Sequence, residues 1–184
     1  MARSRLRRRR QADRSRVHAG HARRTPLLNA PLLDKIAGRR VFVKAECLQW
    51  TGSFKFRGAW SALTALSAQD QRRGVIAYSS GNHAQGVALA AAKLNCKAII
   101  VMPTTTPQVK IDAVSARGGS SVKIVLHGDS YSDAYQHALS LEKKHQLTFV
   151  HPFDDPDVIA GQGTVGMEIL RQHQGPIHAI FIAL

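Results

Sequence analysis

The chain has 184 residues, 44% of them hydrophobic, with two cysteines and a formal charge of +14. That is room for one ordinary domain or slightly more, and no apolar run approaches the roughly 20 residues of a membrane-spanning helix. The charge is local: residues 1–24 hold ten arginines against the single acid Asp13, +9 of the total, so the basicity does not mark the body as a nucleic-acid binder.

The Arg-rich start, residues 1–24, lacks aliphatic periodicity. It cannot bury enough apolar surface to offset its ordering entropy, which predicts disorder. Three readings fit it: a solvated extension, an organelle transit peptide (Arg3-Ser4-Arg5 and Arg14-Ser15-Arg16 suit one), or a nucleic-acid arm. No aromatics interleave the arginines, which counts against the arm. The expected compartment is the cytoplasm, or a mitochondrion or plastid if the start is a transit peptide. Cys47 and Cys96 form no metal-ligand or redox spacing and read as two buried small hydrophobes.

From Thr25 onward the pattern changes. Val41–Val43 predicts a short strand, and Ser53–Leu66 a helix with Ser53 as its N-cap. Gly74–Tyr78 predicts a strand and Asn82–Leu94 an Ala-rich helix. Ala98–Met102 is a buried strand stopped by Pro103. A helix runs from Pro107 to about Ala116, closed by Gly118-Gly119. Val122–Leu126 is a strand, and Ser120–Lys123 is expected to fall in a loop. Asp129–His145 is a helix whose last turn carries Lys143, Lys144 and His145, where cations suit the dipole. Leu147–Val150 is a strand, Pro156 to about Gln172 is helical with glycine interruptions, and Ile177–Leu184 is a final apolar strand. Strands alternating with helices predict an α/β fold, a parallel sheet with helices on both faces.

Two segments carry chemistry. In Ser53-Phe54-Lys55-Phe56-Arg57-Gly58 a lysine opens a helix, where the positive helix end disfavours a cation. The placement suits a neutral amine, as an imine-forming lysine requires. Alone, it is better read as a surface lysine whose stem lies along apolar surface. Tyr78-Ser79-Ser80-Gly81-Asn82-His83-Ala84-Gln85-Gly86 follows a strand and opens a helix. Its glycine allows close backbone approach and its free amides suit a carboxylate. Asp154, Asp155 and Asp157 resemble a metal cluster, but Pro152 and Pro156 fix the stretch as a turn and favour helix capping by Asp155 or Asp157, so no metal site is expected. Gly161, Gly163 and Gly166 suit close packing of their helix on the sheet.

These segments resemble the fold-type-II pyridoxal-phosphate enzymes, the tryptophan-synthase-β-like group that includes threonine dehydratase, serine dehydratase and serine racemase. The lysine motif and the Ser-x-Gly-Asn-His turn match theirs, and the run Phe149–Ile169 is very close to the biosynthetic threonine dehydratases. The resemblance covers residues 24–184. It implies that Lys55 holds pyridoxal 5'-phosphate, that Phe54 packs beside it, and that Asn82 bonds its ring hydroxyl oxygen. Ser79, Ser80, Gly81, Asn82 and His83 would receive the substrate carboxylate, His83 otherwise reading as a structural histidine. Ser80 stands where the dehydratases carry alanine and the racemases a serine that acts as acid–base opposite the lysine. Lys55 and Ser80 are therefore the expected catalytic residues. The implied activity is dehydration and deamination of L-threonine to 2-oxobutanoate and ammonia, feeding isoleucine synthesis. Serine racemase or serine dehydratase is the alternative, and a non-catalytic truncated fragment the alternative of another class. The resemblance also implies a small mobile subdomain at about residues 53–151, with 25–52 and 152–184 belonging to a larger one left incomplete at the C-terminus. The expected partners are a small amino acid and, in the complete enzyme, further copies of itself, with neither nucleic acid nor membrane.

Overall fold

The computed structural model describes residues 21–182; the expected tail disorder and transit segment fall mostly outside these residues. Four strands form a parallel sheet: β3 (Val75–Tyr78), β4 (Ala98–Met102), β5 (Val122–Leu126) and β6 (Thr148–Phe149), in the order β5-β4-β3-β6. A separate antiparallel pair, β1 (Leu27–Asn29) and β2 (Phe42–Lys44), precedes it. Between β1 and β2 lies α1 (Pro31–Ala37).

Strand alternation sends side chains to both faces of the sheet. Val75 and Ala77 of β3 and Ala98, Ile100 and Met102 of β4 meet α2 (Lys55–Ala65), α4 (Asn82–Lys93) and α5 (Gln108–Gly118) in the larger core. Ile76 and Val101 point the other way, onto Ala134 and Ala138 of α6 (Tyr131–His145). Helices thus cover both faces, as the alternation predicts. Ser130 opens α6 with a reciprocal capping box: Asp133 N donates to Ser130 Oγ at 3.2 Å, and Ser130 N donates to Asp133 Oδ2 at 3.1 Å. Gly128 just before it has φ +68°, and a Cβ there would lie 2.1 Å from that of Asp133, so only glycine fits.

The structure corrects several expectations. Ser53 is not the cap of α2: Phe54 already has helical angles, and the Ser53 hydroxyl is buried without a hydrogen-bond partner. A turn through Gly52 (φ +72°) delivers the chain one residue beyond the serine's reach. A short helix, α3 (Ala68–Arg73), follows with Ser67 as its true cap, accepting from Asp70 N. Ser120 and Ser121 form a tight helical turn, while Val122 and Lys123 already belong to β5. The helical stretch after Pro156 splits at Gly163 into α7 (Pro156–Gln162) and α8 (Thr164–Gln172). Asp155 caps α7, accepting from Asp157 N at 2.8 Å and Val158 N at 2.9 Å. Cys96 is buried, but Cys47 is exposed, because its turn aims Glu46 inward instead. Of the strand expected at Ile177–Leu184, residues 183–184 lie outside the described residues, and residues 177–182 make no strand: no described residue pairs with them, and a strand exists only through a neighbour's ladder. Residues 21–24 pack rather than extend freely, with His21 stacked on Trp60 and Arg23 over Trp50.

Candidate active site

Ligands of an open parallel sheet sit beyond the strands' carboxyl ends, where strand order reverses. Here the chain steps outward from β3 to β4 to β5, then returns to lay β6 on the other side of β3. The reversal falls between β3 and β6. The turn Ser79–Gly81 leaves one of these strand ends, and His151 and Pro152 leave the other. Lys55 reaches the same place, its Nζ donating to the Pro152 carbonyl at 2.8 Å.

Lys55 is the first residue of α2. Burial lowers its pKa from the ordinary 10.5, which raises the fraction of neutral, nucleophilic amine. The Phe54 ring lies beside it, 5.3 Å from Nζ to the centroid. Helix α4 crosses closely behind: a Cβ on Gly86 would sit 3.1 Å from the Lys55 carbonyl. Any larger residue at position 86 would push the two site-bearing helices apart.

The turn after β3 is internally braced. Ser79 N donates to Val101 O at 3.1 Å, and Gly81 N donates to Ser79 Oγ at 3.2 Å. Gly81 caps α4 with no side-chain bond, so the first amides of the helix lack partners of that kind, and the space around Gly81 is open. Asn82 is exposed beside them. Ser80 is buried, with its hydroxyl 2.5 Å from that of Tyr131 at the start of α6.

His83 turns inward. It is 3% exposed, and its Nε2 lies 3.0 Å from the Val150 carbonyl. A carbonyl only accepts, so Nε2 carries the proton and Nδ1 presents a lone pair, which has no partner. Burial, with smaller contributions from the charges of Lys55 and His151, lowers its pKa to about 4 against the Val150 bond, so it is neutral. The ring fastens α4 to β6, which favours the structural reading of this residue over contact of its side chain with substrate.

Sequence reasoning missed Arg57. This guanidinium is wholly buried, with Nε and Nη2 each 2.8 Å from Glu46 and Nη1 2.7 Å from Glu168. Lys44 joins the same cluster, its Nζ donating to Thr25 O and Glu168 Oε2 at 2.6 Å and to Gln172 Oε1 at 2.8 Å. Lys44 is therefore engaged in this cluster, whereas the Lys55 amine is held by one backbone carbonyl. The lone charge in the otherwise uncharged, mostly apolar run Phe56–Leu63 is the signal that could have found Arg57, and the structure buries that whole run.

The glycines divide by role. Gly161 packs helix on helix rather than helix on sheet: a Cβ there would meet the Arg57 carbonyl at 2.4 Å. Gly163 is the break between α7 and α8, and Gly166 has nothing within 4 Å of a Cβ. Among the described residues no group of three or more His, Cys, Asp or Glu could hold a metal ion, and no helix is long and apolar enough to cross a membrane.

Comparison with known proteins bears on this geometry. The chain is 60% identical over 144 residues to the biosynthetic L-threonine dehydratase of Burkholderia multivorans, covering 78% of this chain and 28% of that protein. It is 54% identical over 158 residues to the chloroplastic biosynthetic threonine dehydratase of Arabidopsis thaliana, covering 86% and 26%. Among solved structures, the processed form of threonine deaminase isoform 2 from Solanum lycopersicum superposes with a TM-score of 0.83 at 48% identity, over 90% of this chain and 48% of that one. Maize serine racemase gives 0.83 at 34% identity, over 89% and 49%. The chain thus spans about a quarter of the length of those curated relatives and about half of the solved chains. The family model described as "Pyridoxal-phosphate dependent enzyme" matches residues 19–184, a span that takes in every element above, and the chain accordingly belongs to that family.

Proposed function

We propose that this chain carries the lysine-bearing part of a threonine dehydratase, with Lys55 as the residue that binds pyridoxal phosphate. The residues fit such a group. An aldehyde cofactor needs an amine that is neutral often enough to attack, and Lys55 is a partly buried amine with a lowered pKa, held by one backbone carbonyl. Phe54 flanks it, and Asn82 and the open amides of α4 face the same strand ends. When bound, pyridoxal phosphate supplies an electron sink for the substrate's α-carbon.

The chain's own residues do the rest. The turn Ser79–His83 receives the substrate carboxylate on the amides of Ser80, Asn82 and His83, those of Ser79 and Gly81 being engaged within the fold, and this orients the α-carbon. Lys55 Nζ takes the α-proton as general base. The β-hydroxyl departs as water, water later returns in hydrolysis, and threonine ends as 2-oxobutanoate and ammonia. We read residues 53–151 as the smaller subdomain and the flanking segments as parts of a larger one. The complete enzyme is expected to self-associate, a reading supported by the exposed Leu32 and Ile36 of α1. For the compartment we propose the cytoplasm, or an organelle if the Arg-rich start is a transit peptide; the Arabidopsis relative is described as chloroplastic.

The observation that carries the reading is the Lys55 amine at the β3/β6 reversal, in a chain similar at 60% identity to a threonine dehydratase. Borohydride reduction in the presence of pyridoxal phosphate, followed by digestion and mass analysis, should label Lys55. Label on Lys44 or Lys110 with none on Lys55 would overturn it. Keto-acid release from threonine and serine, assayed side by side in the full-length protein, should favour threonine. The second reading, serine racemase, is supported by the Ser80 hydroxyl and by the likeness to maize serine racemase. Faster racemisation of serine than release of keto acid from threonine would favour it.

A further inference from the structure

Ser80 is 5% exposed and Tyr131 is 56% exposed, yet their hydroxyls meet at 2.5 Å across 51 residues of chain. Each side of the contact is braced by its own element. Ser80 stands in the turn held by the Ser79 and Gly81 amides, and Tyr131 follows directly on the Ser130–Asp133 capping box. The ring's polar end therefore reaches the buried serine while much of its surface stays in water.

We propose that Tyr131 is a positioning residue for Ser80, holding the serine hydroxyl in one orientation and linking it to solvent as a two-hydroxyl proton relay. The proposal rests on the reading of Ser80 as an acid–base group. A buried serine that gives up a proton needs a route for its return. Tyr131 supplies one. Ser80 Oγ delivers its proton to the substrate α-carbon while Tyr131 Oη passes its own to Ser80, and water then reprotonates the phenol. One proton enters the substrate, one leaves water, and the hydroxide is taken up by buffer. The transient anion sits on the phenol, whose ring delocalises the charge as an alkoxide cannot. In the reverse direction the same two hydrogen bonds carry a proton outward. The pair also ties the carboxylate-binding turn to α6, so the serine's aim and the position of the turn share one contact.

The test compares Tyr131→Phe, Ser80→Ala and the double variant in the full-length protein. Amide hydrogen exchange without cofactor reads the contact itself. Exchange at the amides of residues 80–83 should accelerate in either single variant, with no further gain in the double. Unchanged exchange in both single variants would overturn the proposal. The second readout is solvent deuterium at the α-carbon of D-serine formed from L-serine, divided by keto acid released; deuterium retained in L-serine comes through Lys55 and is not counted. Ser80→Ala should abolish that ratio. Tyr131→Phe, where water can replace the phenol poorly, should lower it about tenfold, less than the roughly 10²–10⁴-fold contribution of a direct acid–base group because Tyr131 acts through Ser80. A ratio lost with Ser80→Ala but unchanged with Tyr131→Phe would overturn the relay and leave the Ser80 reading standing. A ratio untouched by Ser80→Ala, or no deuterium in the unmodified protein, would overturn both.

Discussion

Arg57 lies wholly buried between Glu46 and Glu168, and the energetics of the cluster turn on completeness. Removing one partner of a buried ion pair strands the others, at a cost of roughly 3–5 kcal/mol. Arg57→Met should therefore lower the unfolding free energy by about that amount, read from urea midpoints, and Arg57→Lys should rescue little because it lacks the planar fork. Glu168 adds a pH dependence. Burial pushes its carboxyl up, but hydrogen bonds from Arg57 and Lys44 outweigh this and hold the pKa below the ordinary 4.5. A folded pKa below the unfolded one means stability present above 4.5 and lost as pH falls through the folded value. His83 acts in the window above. It is neutral when folded with a pKa of about 4, and protonates near 6.5 when unfolded. Stability is thus full above 6.5 and declines toward 4, by at most roughly 1.4 kcal/mol per pH unit. His83→Gln, which keeps a donor toward Val150, should flatten that decline. Equal slopes in the two proteins, from denaturation at pH 7 and pH 5, would show the histidine to be exposed in solution.

At the scale of elements, α2 and α7 meet through glycine. A Cβ on Gly161 would lie 2.4 Å from the Arg57 carbonyl, and backbone cannot move aside cheaply. Gly161→Ala should cost about 1–3 kcal/mol despite its better helix propensity. Gly166→Ala in α8 meets nothing within 4 Å and should stabilise by about 0.5–1 kcal/mol. Opposite shifts in Tm for these two substitutions would confirm the difference; shifts of one sign would contradict it. The same contrast explains what was legible in the sequence. β4 matches its expected bounds because its continuous apolar run ends at Pro103, and β5 because its apolar residues, interrupted only by Lys123, end before His127-Gly128. α3 was invisible because its residues, Ala68–Arg73, are almost all polar and show no periodicity. β1, at three residues, is too short to display alternation, whereas β2 lies within one residue of the strand expected at Val41–Val43. Residues 177–182 read as a strand from composition, but pairing is a property of the neighbour and is not written in the run itself.

For the whole molecule, the site was readable where side chains carry it and unreadable where the main chain does. Lys55 and the Ser79–His83 turn announce themselves by residue type; the carbonyls of Val150 and Pro152, which hold His83 and Lys55, have no letter of their own. Arg57 was overlooked because its neighbour Lys55 drew the chemical reading. Apolar surface is also a whole-molecule property: Leu32, Ile36, Phe153, Leu170, Phe181 and Ile182 all stand more than half exposed. Contiguous apolar patches beyond a few hundred Å² promote association. A polypeptide of these 184 residues alone should self-associate at micromolar concentration in light scattering. Charged replacements at Phe181 and Ile182 should reduce the effect, and a monodisperse unmodified polypeptide would contradict the expectation.

The two carbonyls on the β6 exit have a genetic corollary. Every amino acid brings a main-chain oxygen, so no exchange of side chain can delete either anchor. What can destroy them is a change of path: one residue inserted or removed between Val150 and Pro152 rotates one oxygen away while the other stays. A mutational scan of this stretch should therefore tolerate apolar exchange at 150 and varied residues at 152, yet reject single-codon insertions and deletions. The spacing, rather than the lettering, is the inherited part.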